Sequence, residues 1–153
     1  MKAHSILATL VMTAACASAL AQSQIAAFST DGCSLFPDRA LVGQGDWCRC
    51  CLAHDLAYWR GGTAEERLQA DKDLRSCVLE STQNKALAEF MYAGVRSGGG
   101  PQFSTTYRWA YGWPQGRGYQ PLSEAERAQV FKLETEYRAS NPGLVCKKPV
   151  ASQ

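Results

Sequence analysis

The sequence predicts a small, mainly helical protein that is held together by disulfide bonds. The chain has 153 residues, which is the size of one domain. Six of its seven cysteines follow residue 21, and an even number of cysteines in a short exported chain is typical of a disulfide framework. Breaks rich in glycine and proline separate segments of helical length along the chain.

Residues 1–21 have the features of a secretory signal peptide. Lys2 supplies a positive charge, residues 6–15 are mostly apolar, and a small-x-small cleavage site ends the segment. We expect cleavage before Gln22, which leaves residues 22–153 as a single domain. The location that follows is secreted or periplasmic.

Cys16 offers an alternative to cleavage at that site, because a cysteine at the end of an export signal can carry a lipid. Thr13 stands where such a signal normally has Leu or Val, which disfavours this alternative. The apolar run is also too short to span a bilayer as a stable helix.

The charge of the chain argues against nucleic acid as a partner. Removal of residues 1–21 leaves 15 basic and 14 acidic side chains, a net charge of +1. Binding to phosphate backbones needs a concentrated basic surface. The same balance gives no strong attraction to anionic membranes.

The first helix is predicted from about Trp47 to Arg60. Residues 22–45 contain many turn formers without a sustained period, and this predicts a structured loop. Asp46 is a suitable N-cap for the helix, and Gly61 ends it.

Two capping boxes begin later helices. Thr63 with Glu66 opens a second helix that ends at about Leu79, and Ser123 with Glu126 opens a last helix that ends at about Ala139.

A third helix is predicted between them, from about Asn84 to Arg96, and Pro101 prevents its continuation. Its apolar side consists of Leu87, Phe90, Met91 and Val95. Residues 101–122 are irregular and aromatic. We expect the Trp and Tyr residues near positions 107–119 to pack as core, and the alternative is a collar that contacts lipid.

One stretch of the first helix carries chemistry. Cys50, His54 and Tyr58 are four residues apart, so they lie on one face of a helix. Asp55 is rotated from His54 by about 100°. This spacing predicts that the imidazole faces a neighbouring helix while the carboxylate faces a loop.

The pattern Cys-Cys-x-x-His-Asp-x-x-Tyr over residues 50–58 resembles the active-site helix of secreted phospholipases A2. The run over residues 70–77, with Asp71 and Cys77, resembles the second long helix of that family. The resemblance spans residues 31–78 and points to a prokaryotic-type secreted member. It implies a small disulfide-stapled phospholipase A2-like fold with two antiparallel active-site helices.

The resemblance also implies a function, which is the calcium-dependent hydrolysis of the sn-2 acyl ester of phospholipids. The substrate would lie at a membrane or micelle interface, and the enzyme would be a monomer. His54 would be the general base, Asp71 would orient it, and Tyr58 would bond to that carboxylate. Asp55 would bind Ca²⁺ together with backbone carbonyls of the loop. Those carbonyls belong to Gly32, Ser34 and Phe36.

Three disulfides are implied in the same way: Cys33–Cys51, Cys50–Cys77 and Cys48–Cys146. Asp73 is an alternative to Asp71, because it lies closer to the face of Cys77 on a helical wheel. Asp31 and Asp38 either reach the calcium or serve turns.

Two further interpretations remain. The loop around Cys33 lacks the run of glycines found in the animal enzymes, which favours a weakly active or inactive scaffold of the same fold that binds a protein or lipid. Zinc ligation by cysteines and a histidine is the other. Its candidate ligands are Cys48, Cys50, Cys51 and His54.

Overall fold

The computed structural model describes residues 24–34, 36–40 and 46–141. They form four helices, α1 (Cys48–Arg60), α2 (Ala64–Thr82), α3 (Lys85–Gly98) and α4 (Glu124–Ser140). These ranges contain no strand. The prediction of a mainly helical fold is therefore confirmed, while the predicted signal peptide, residues 1–21, lies outside the described residues.

The two predicted capping boxes are present. Thr63 Oγ1 accepts from the backbone N–H of Glu66, whose carboxylate accepts from the N–H of Thr63. Ser123 and Glu126 form the same reciprocal pair at the start of α4. Each box satisfies two N–H groups that have no partner inside the helix.

The predicted start of α1 is wrong by one residue. Trp47, not Asp46, is the N-cap, and it makes no capping bond with its side chain. Its indole Nε1 instead donates to the carbonyl of Pro37 at 2.7 Å, which holds the ring in the core. Asp46 Oδ1 still accepts from the N–H of Cys48 at 3.1 Å.

The helix ends also differ slightly from the prediction. α2 continues past Leu79 to Thr82, because the left-handed residue that closes it is Gln83 (φ 55°). α3 has its predicted N-cap, Asn84, and continues to Gly98. Gly61 ends α1 with φ 69°, as expected.

Two disulfides fix the loop and helices around α1. Cys50–Cys77 joins α1 to α2, and Cys33–Cys51 joins the preceding loop to α1. Both expected pairings are confirmed. Cys48 is also disulfide-bonded, whereas its expected partner, Cys146, lies outside the described residues.

α1 and α2 run in opposite directions. The disulfide pairs Cys50 with Cys77, and further along α1 His54 contacts Asp71 and Tyr58 contacts Arg67. As the residue number rises on α1, it therefore falls on α2. α3 folds back along α2 in the same manner, and the two share an extensive contact.

The core has two parts. One surrounds the buried rings of Trp59, Trp109 and Trp113, and the other includes the buried disulfide cysteines and Leu74 of α2. The predicted apolar side of α3 needs one correction. Phe90 is 67% exposed, because the inward position at this level of the helix belongs to Ala88 and Met91.

The aromatic segment after α3 packs on the end of α1. Trp109 Nε1 donates to the carbonyl of Gly62 and Trp113 Nε1 donates to the carbonyl of Arg60. Buried Arg108 donates to the carbonyls of Trp109, Ala110 and Trp113. The two tryptophans are therefore core, as expected, whereas Tyr119 is 42% exposed and is not. None of the helices in the described ranges is long and apolar enough to cross a membrane.

Candidate active site

His54 faces α2, as its place on α1 predicts. Its Nε2 lies 2.8 Å from Oδ1 of Asp71, and both side chains are buried. An ionised carboxylate can only accept, so Nε2 carries a proton, and in the neutral imidazole the lone pair is then on Nδ1. The carboxylate thus fixes the orientation of an imidazole that is largely buried.

Asp71 has two further hydrogen-bond partners. The hydroxyl of Tyr58 donates to Oδ1 at 2.7 Å, and Arg96 Nη1 donates to Oδ2 at 2.6 Å. Burial alone would raise the pKa of Asp71. The hydrogen bonds from His54, Arg96 and Tyr58 outweigh burial and hold the pKa below its usual value. Asp71 is therefore an anion at neutral pH.

Of the two candidate carboxylates, only Asp71 contacts His54. Asp73 is exposed, and its Oδ1 accepts from Gln69 Nε2 at 2.8 Å on the outer face of α2. The helical-wheel argument for Asp73 does not hold. Asp73 is two residues from Asp71, which rotates it by about 200° onto the exposed side of α2.

A buried arginine connects Tyr58 to the end of α3. Arg67 Nε donates to the hydroxyl of Tyr58 at 3.0 Å, and its Nη2 donates to the carbonyls of Val95 and Arg96 at the end of α3. Burial, followed by the charge of Asp71, raises the pKa of Tyr58. Tyr58 therefore stays neutral and can donate to the carboxylate.

Neither Arg67 nor Arg96 is predicted from the sequence as a residue of the site. Arg67 precedes Asp71 by four residues, which is the spacing of an ion pair on one helix face, and this signal could have indicated it. No comparable signal exists for Arg96. Its contact depends on how α3 packs on α2, which the residue spacing does not specify.

The unpaired edge of His54 borders a cavity of about 260 Å³. Its walls are mainly apolar, with Leu74 of α2 and Met91 and Val95 of α3. Six of the seven predicted site residues line it, and Asp71 lies behind His54. The six are Gly32, Ser34, Phe36, His54, Asp55 and Tyr58.

Asp55 faces the loop, again as its position on α1 predicts. Thr30 Oγ1 donates to its Oδ2, and Oδ1 accepts no hydrogen bond from the described residues. The side chain is buried, and burial raises the pKa of Asp55 to about 7, with the nearby carboxylates of Asp31 and Asp38 adding to the effect and Thr30 opposing it. No basic side chain in the described part of the chain forms an ion pair with this carboxylate.

The loop keeps its shape through these same acids. The backbone N–H of Cys33 donates to Asp38 Oδ1 at 2.8 Å, and Ser34 Oγ donates to Asp31 Oδ1 at 2.7 Å. Gly32 has φ 83°, and a Cβ there would lie 2.3 Å from Asp38 Oδ1. Asp31 and Asp38 thus have the turn roles that were one of their two interpretations, and the tight turn requires glycine.

The donor set fits a hard divalent cation. Calcium takes oxygen ligands from carboxylates and backbone carbonyls, and Asp55 Oδ1 and the carbonyls of Gly32 and Ser34 accept no hydrogen bond within the described part of the chain. A second cavity of about 150 Å³ borders the other side of Asp55 and Ser34. A cation bound beside Asp55 would supply a positive charge that offsets the burial of this carboxylate.

Zinc ligation is excluded for the candidate set. Cys48, Cys50 and Cys51 are all disulfide-bonded, so none is a free thiolate, which zinc requires. Among residues 24–34, 36–40 and 46–141, no group of three or more His, Cys, Asp or Glu side chains is placed to hold a metal ion. A cation at Asp55 would therefore depend on backbone carbonyls and water.

Comparison with protein-family models, with curated proteins and with solved structures finds no match for this chain. The site is therefore described by its own geometry: a buried His–Asp pair, an apolar cavity, and a carboxylate beside a loop.

Proposed function

We propose that this protein is an exported enzyme of the phospholipase A2 type, which hydrolyses the sn-2 acyl ester of phospholipids with the help of calcium. One observation carries the proposal. His54 is held by a buried carboxylate through Nε2, and the rest of its ring borders an apolar cavity that Asp55 also lines. A water-activating base, an apolar space and an anionic ligand thus meet in one place.

In the proposed reaction, His54 Nδ1 accepts a proton from water as the water oxygen attacks the ester carbonyl. Asp71 stabilises the resulting imidazolium and keeps the ring in its tautomer. The proton then passes to the oxygen of the leaving glycerol, so the products are a fatty acid and a lysophospholipid. Tyr58 and Arg96 hold Asp71 in place through this cycle.

Calcium would be held by Asp55 with the carbonyls of Gly32, Ser34 and Phe36, and when bound it would polarise the ester carbonyl and stabilise its developing negative charge. The chain's own contribution is to bury this carboxylate beside the loop and to orient it through Thr30.

The proposal extends to the fold and the location. The antiparallel pair α1 and α2, the confirmed disulfides Cys33–Cys51 and Cys50–Cys77, and the loop before α1 support a phospholipase A2-like arrangement. Disulfides are compatible with an oxidising compartment, which agrees with the predicted export. The substrate is a phospholipid at a membrane or micelle surface, and the working unit is a monomer.

A second function, a scaffold of the same fold that binds a protein or a lipid without turnover, has one observation in its favour. Among the described residues around the proposed cation site, Asp31 and Asp38 bond within the loop, which leaves Asp55 as the acid available to a cation. Few ligands for calcium would make hydrolysis slow.

Release of fatty acid from phosphatidylcholine vesicles in calcium separates the two functions. We expect wild-type protein to release fatty acid. His54→Gln and Asp71→Asn should each reduce the rate by about 10²-fold or more. Asp73→Asn is the matched control, because it removes an exposed acid from the same helix and should leave the rate unchanged.

An inactive wild-type protein that still binds the vesicles would favour the scaffold. Equal losses in Asp71→Asn and Asp73→Asn would contradict the assigned roles. Near-ultraviolet circular dichroism of each variant checks that the fold is retained.

A further inference from the structure

One wall of the cavity contains two glycines, which have no side chain, in line with a phenylalanine. Phe90, Gly94 and Gly98 follow one another at intervals of four residues on α3, so they lie on one face of the helix, and all three line the cavity. A Cβ atom built on Gly94 or on Gly98 would meet no other atom within 4 Å. The space beside both glycines is open.

Neither glycine is required by backbone conformation or by close packing. Both have helical geometry within α3, and neither has a positive φ. Glycine inside a helix is less favourable than alanine, because more backbone entropy is lost on folding. Gly99 differs, since its Cβ would lie 2.6 Å from the ring of Tyr58. Gly94 and Gly98 therefore have no structural role that explains the absence of a side chain.

The cavity has an inner end and an outer end along this line. Tyr58, which is buried, packs against Gly99 and against the ring of His54 at 4.1 Å. Phe90, which is 67% exposed, lies near Phe36 with ring centroids 5.8 Å apart. The eight residue steps from Phe90 to Gly98 span about 12 Å of helix axis. A chain attached to an ester beside His54 would leave along this wall.

The size and the lining limit what can fit. The cavity of about 260 Å³ lies just below the 300–1,000 Å³ of pockets that enclose drug-sized ligands. Leu74, Met91 and Val95 line the floor, so a bound group would be apolar. His54, more than nine-tenths buried, presents an edge without a hydrogen-bond partner among the described residues to the inner end.

We infer that Gly94 and Gly98 select the acyl chain. Together they keep open a slot for one long, unbranched chain, with Gly98 beside the ester and Gly94 about one helical turn further along the chain. This inference rests on the proposed function for the placement of the ester. It assigns specificity to two positions that make no hydrogen bond with a side chain and carry no charge.

The test is the binding of two fatty acids, hexanoate and dodecanoate, to the oxidised full-length protein by titration calorimetry. Each methylene buried from water strengthens binding by about fourfold, so wild-type protein should prefer dodecanoate by well over tenfold. A six-carbon chain whose carboxylate lies beside His54 ends near the level of Gly94.

Gly94→Leu should therefore reduce the preference for dodecanoate at least tenfold and change hexanoate affinity less than about threefold. Gly98→Leu should weaken both acids about tenfold or more, because it fills the inner end. The matched controls are Ala93→Leu and Ser97→Leu, which add the same side chain to exposed positions next to each glycine. Both controls should bind like wild type.

Gly94→Ala guards against a folding artefact. It should raise the melting temperature by about 2–4 °C, because alanine favours the helix, and it should keep most of the dodecanoate preference. Equal behaviour of Gly94→Leu and Ala93→Leu would overturn the inference, as would wild-type protein that binds neither acid.

The outcome is separable from that of the proposed function. If wild-type protein hydrolyses phospholipid and Gly94→Leu keeps the preference for dodecanoate, only the role of the glycines is refuted. The predicted binding pattern without any hydrolysis refutes only the enzyme, and the slot stands as a fatty-acid site.

Discussion

Arg96 donates to Asp71 Oδ2 at 2.6 Å, on the carboxylate oxygen that His54 does not contact. The same carboxylate is 3.9 Å from Arg67 Nε. Asp71 is fully buried, and burying an isolated charge is costly unless it is paired and hydrogen-bonded. Arg96 therefore stabilises the ionised state that the proposed base needs, and it ties the end of α3 to the pair.

Arg96→Gln should lower the free energy of unfolding by about 1–2 kcal/mol. This is less than the 3–5 kcal/mol lost when a fully buried pair is broken, because a third of the Arg96 side chain is exposed to solvent. Arg96→Lys, which keeps the charge, should recover about half of the loss. Urea unfolding at pH 7 measures both. A glutamine variant as stable as wild type would show that Arg67 and Tyr58 suffice for Asp71.

Asp55 should destabilise the calcium-free protein as pH rises. Burial raises the pKa of Asp55 from 3.8 to about 7, so the folded protein binds the proton more tightly than the unfolded chain. The associated stability is present below pH 3.8 and is lost as pH rises through 7. Asp55→Asn, which removes the charge, should therefore be the more stable protein at pH 8, by roughly 2–4 kcal/mol.

The measurement is urea unfolding in the presence of a calcium chelator, at pH 4 and at pH 8. At pH 4 the two proteins should have nearly equal stability, because Asp55 is protonated in the folded wild type. A wild type that is more stable than Asp55→Asn at pH 8 would show that the carboxylate has a positively charged partner other than calcium.

Removal of either described disulfide should reduce stability by a similar amount, but the two removals should differ in their effect on calcium binding. They close loops with sequence separations of 18 and 27 residues, for which chain entropy gives about 3 and 3.5 kcal/mol. Replacing Cys33 and Cys51 by alanine frees the loop beside Asp55, so calcium binding should weaken at least tenfold.

The paired replacement of Cys50 and Cys77 is its control. It loosens α1 from α2 while the loop stays attached to α1, and it should leave calcium affinity within about threefold of wild type. Calorimetric titration with calcium measures the affinity of both variants. Equal losses of affinity would mean that the loop is positioned by the fold as a whole.

Glu126 should stabilise the last helix above pH 4.5. Arg117 donates to both of its carboxylate oxygens at 2.7 and 2.9 Å, and these bonds lower the pKa of Glu126 from 4.5 to about 2. The stability is therefore present above pH 4.5 and is lost as pH falls towards 2.

Glu126→Gln should cost about 1 kcal/mol at pH 7, a value reduced by exposure to solvent, and the difference should disappear near pH 2. Glu124→Gln, an exposed acid in the same turn, is the control. The melting temperature against pH measures both variants. A constant difference across that range would show that the charge of Glu126 is not the cause.

The sequence indicated local structure well and tertiary contacts only where a pattern connected distant segments. Both capping boxes and the stop at Gly61 depend on neighbouring residues, and they appear as predicted. The face shared by His54 and Tyr58 follows from helical periodicity alone. Spacing does not specify how helices pair. The contact of His54 with Asp71 and the disulfides Cys33–Cys51 and Cys50–Cys77 are therefore predicted only through the resemblance to the phospholipase A2 family.

The features that the sequence does not predict all depend on tertiary packing. Periodicity predicts that Phe90 lies on the apolar side of α3, but the packing of α3 on α2 buries Ala88 instead. Arg96 and Thr30 reach the site from segments whose placement depends on the whole fold. Segment 101–122 carries no repeating pattern, so nothing in its sequence indicated that Trp109 and Trp113 bond to the end of α1.

The most direct test of the central proposal is the identity of the fatty acid released from a phosphatidylcholine that carries hexadecanoate at sn-1 and octadecenoate at sn-2. Mass spectrometry of the products, with calcium and with a chelator, measures both position and metal dependence. We predict octadecenoate alone, in calcium alone, and none from His54→Gln. Release of both acids, or release that continues in the chelator or in His54→Gln, would contradict the account.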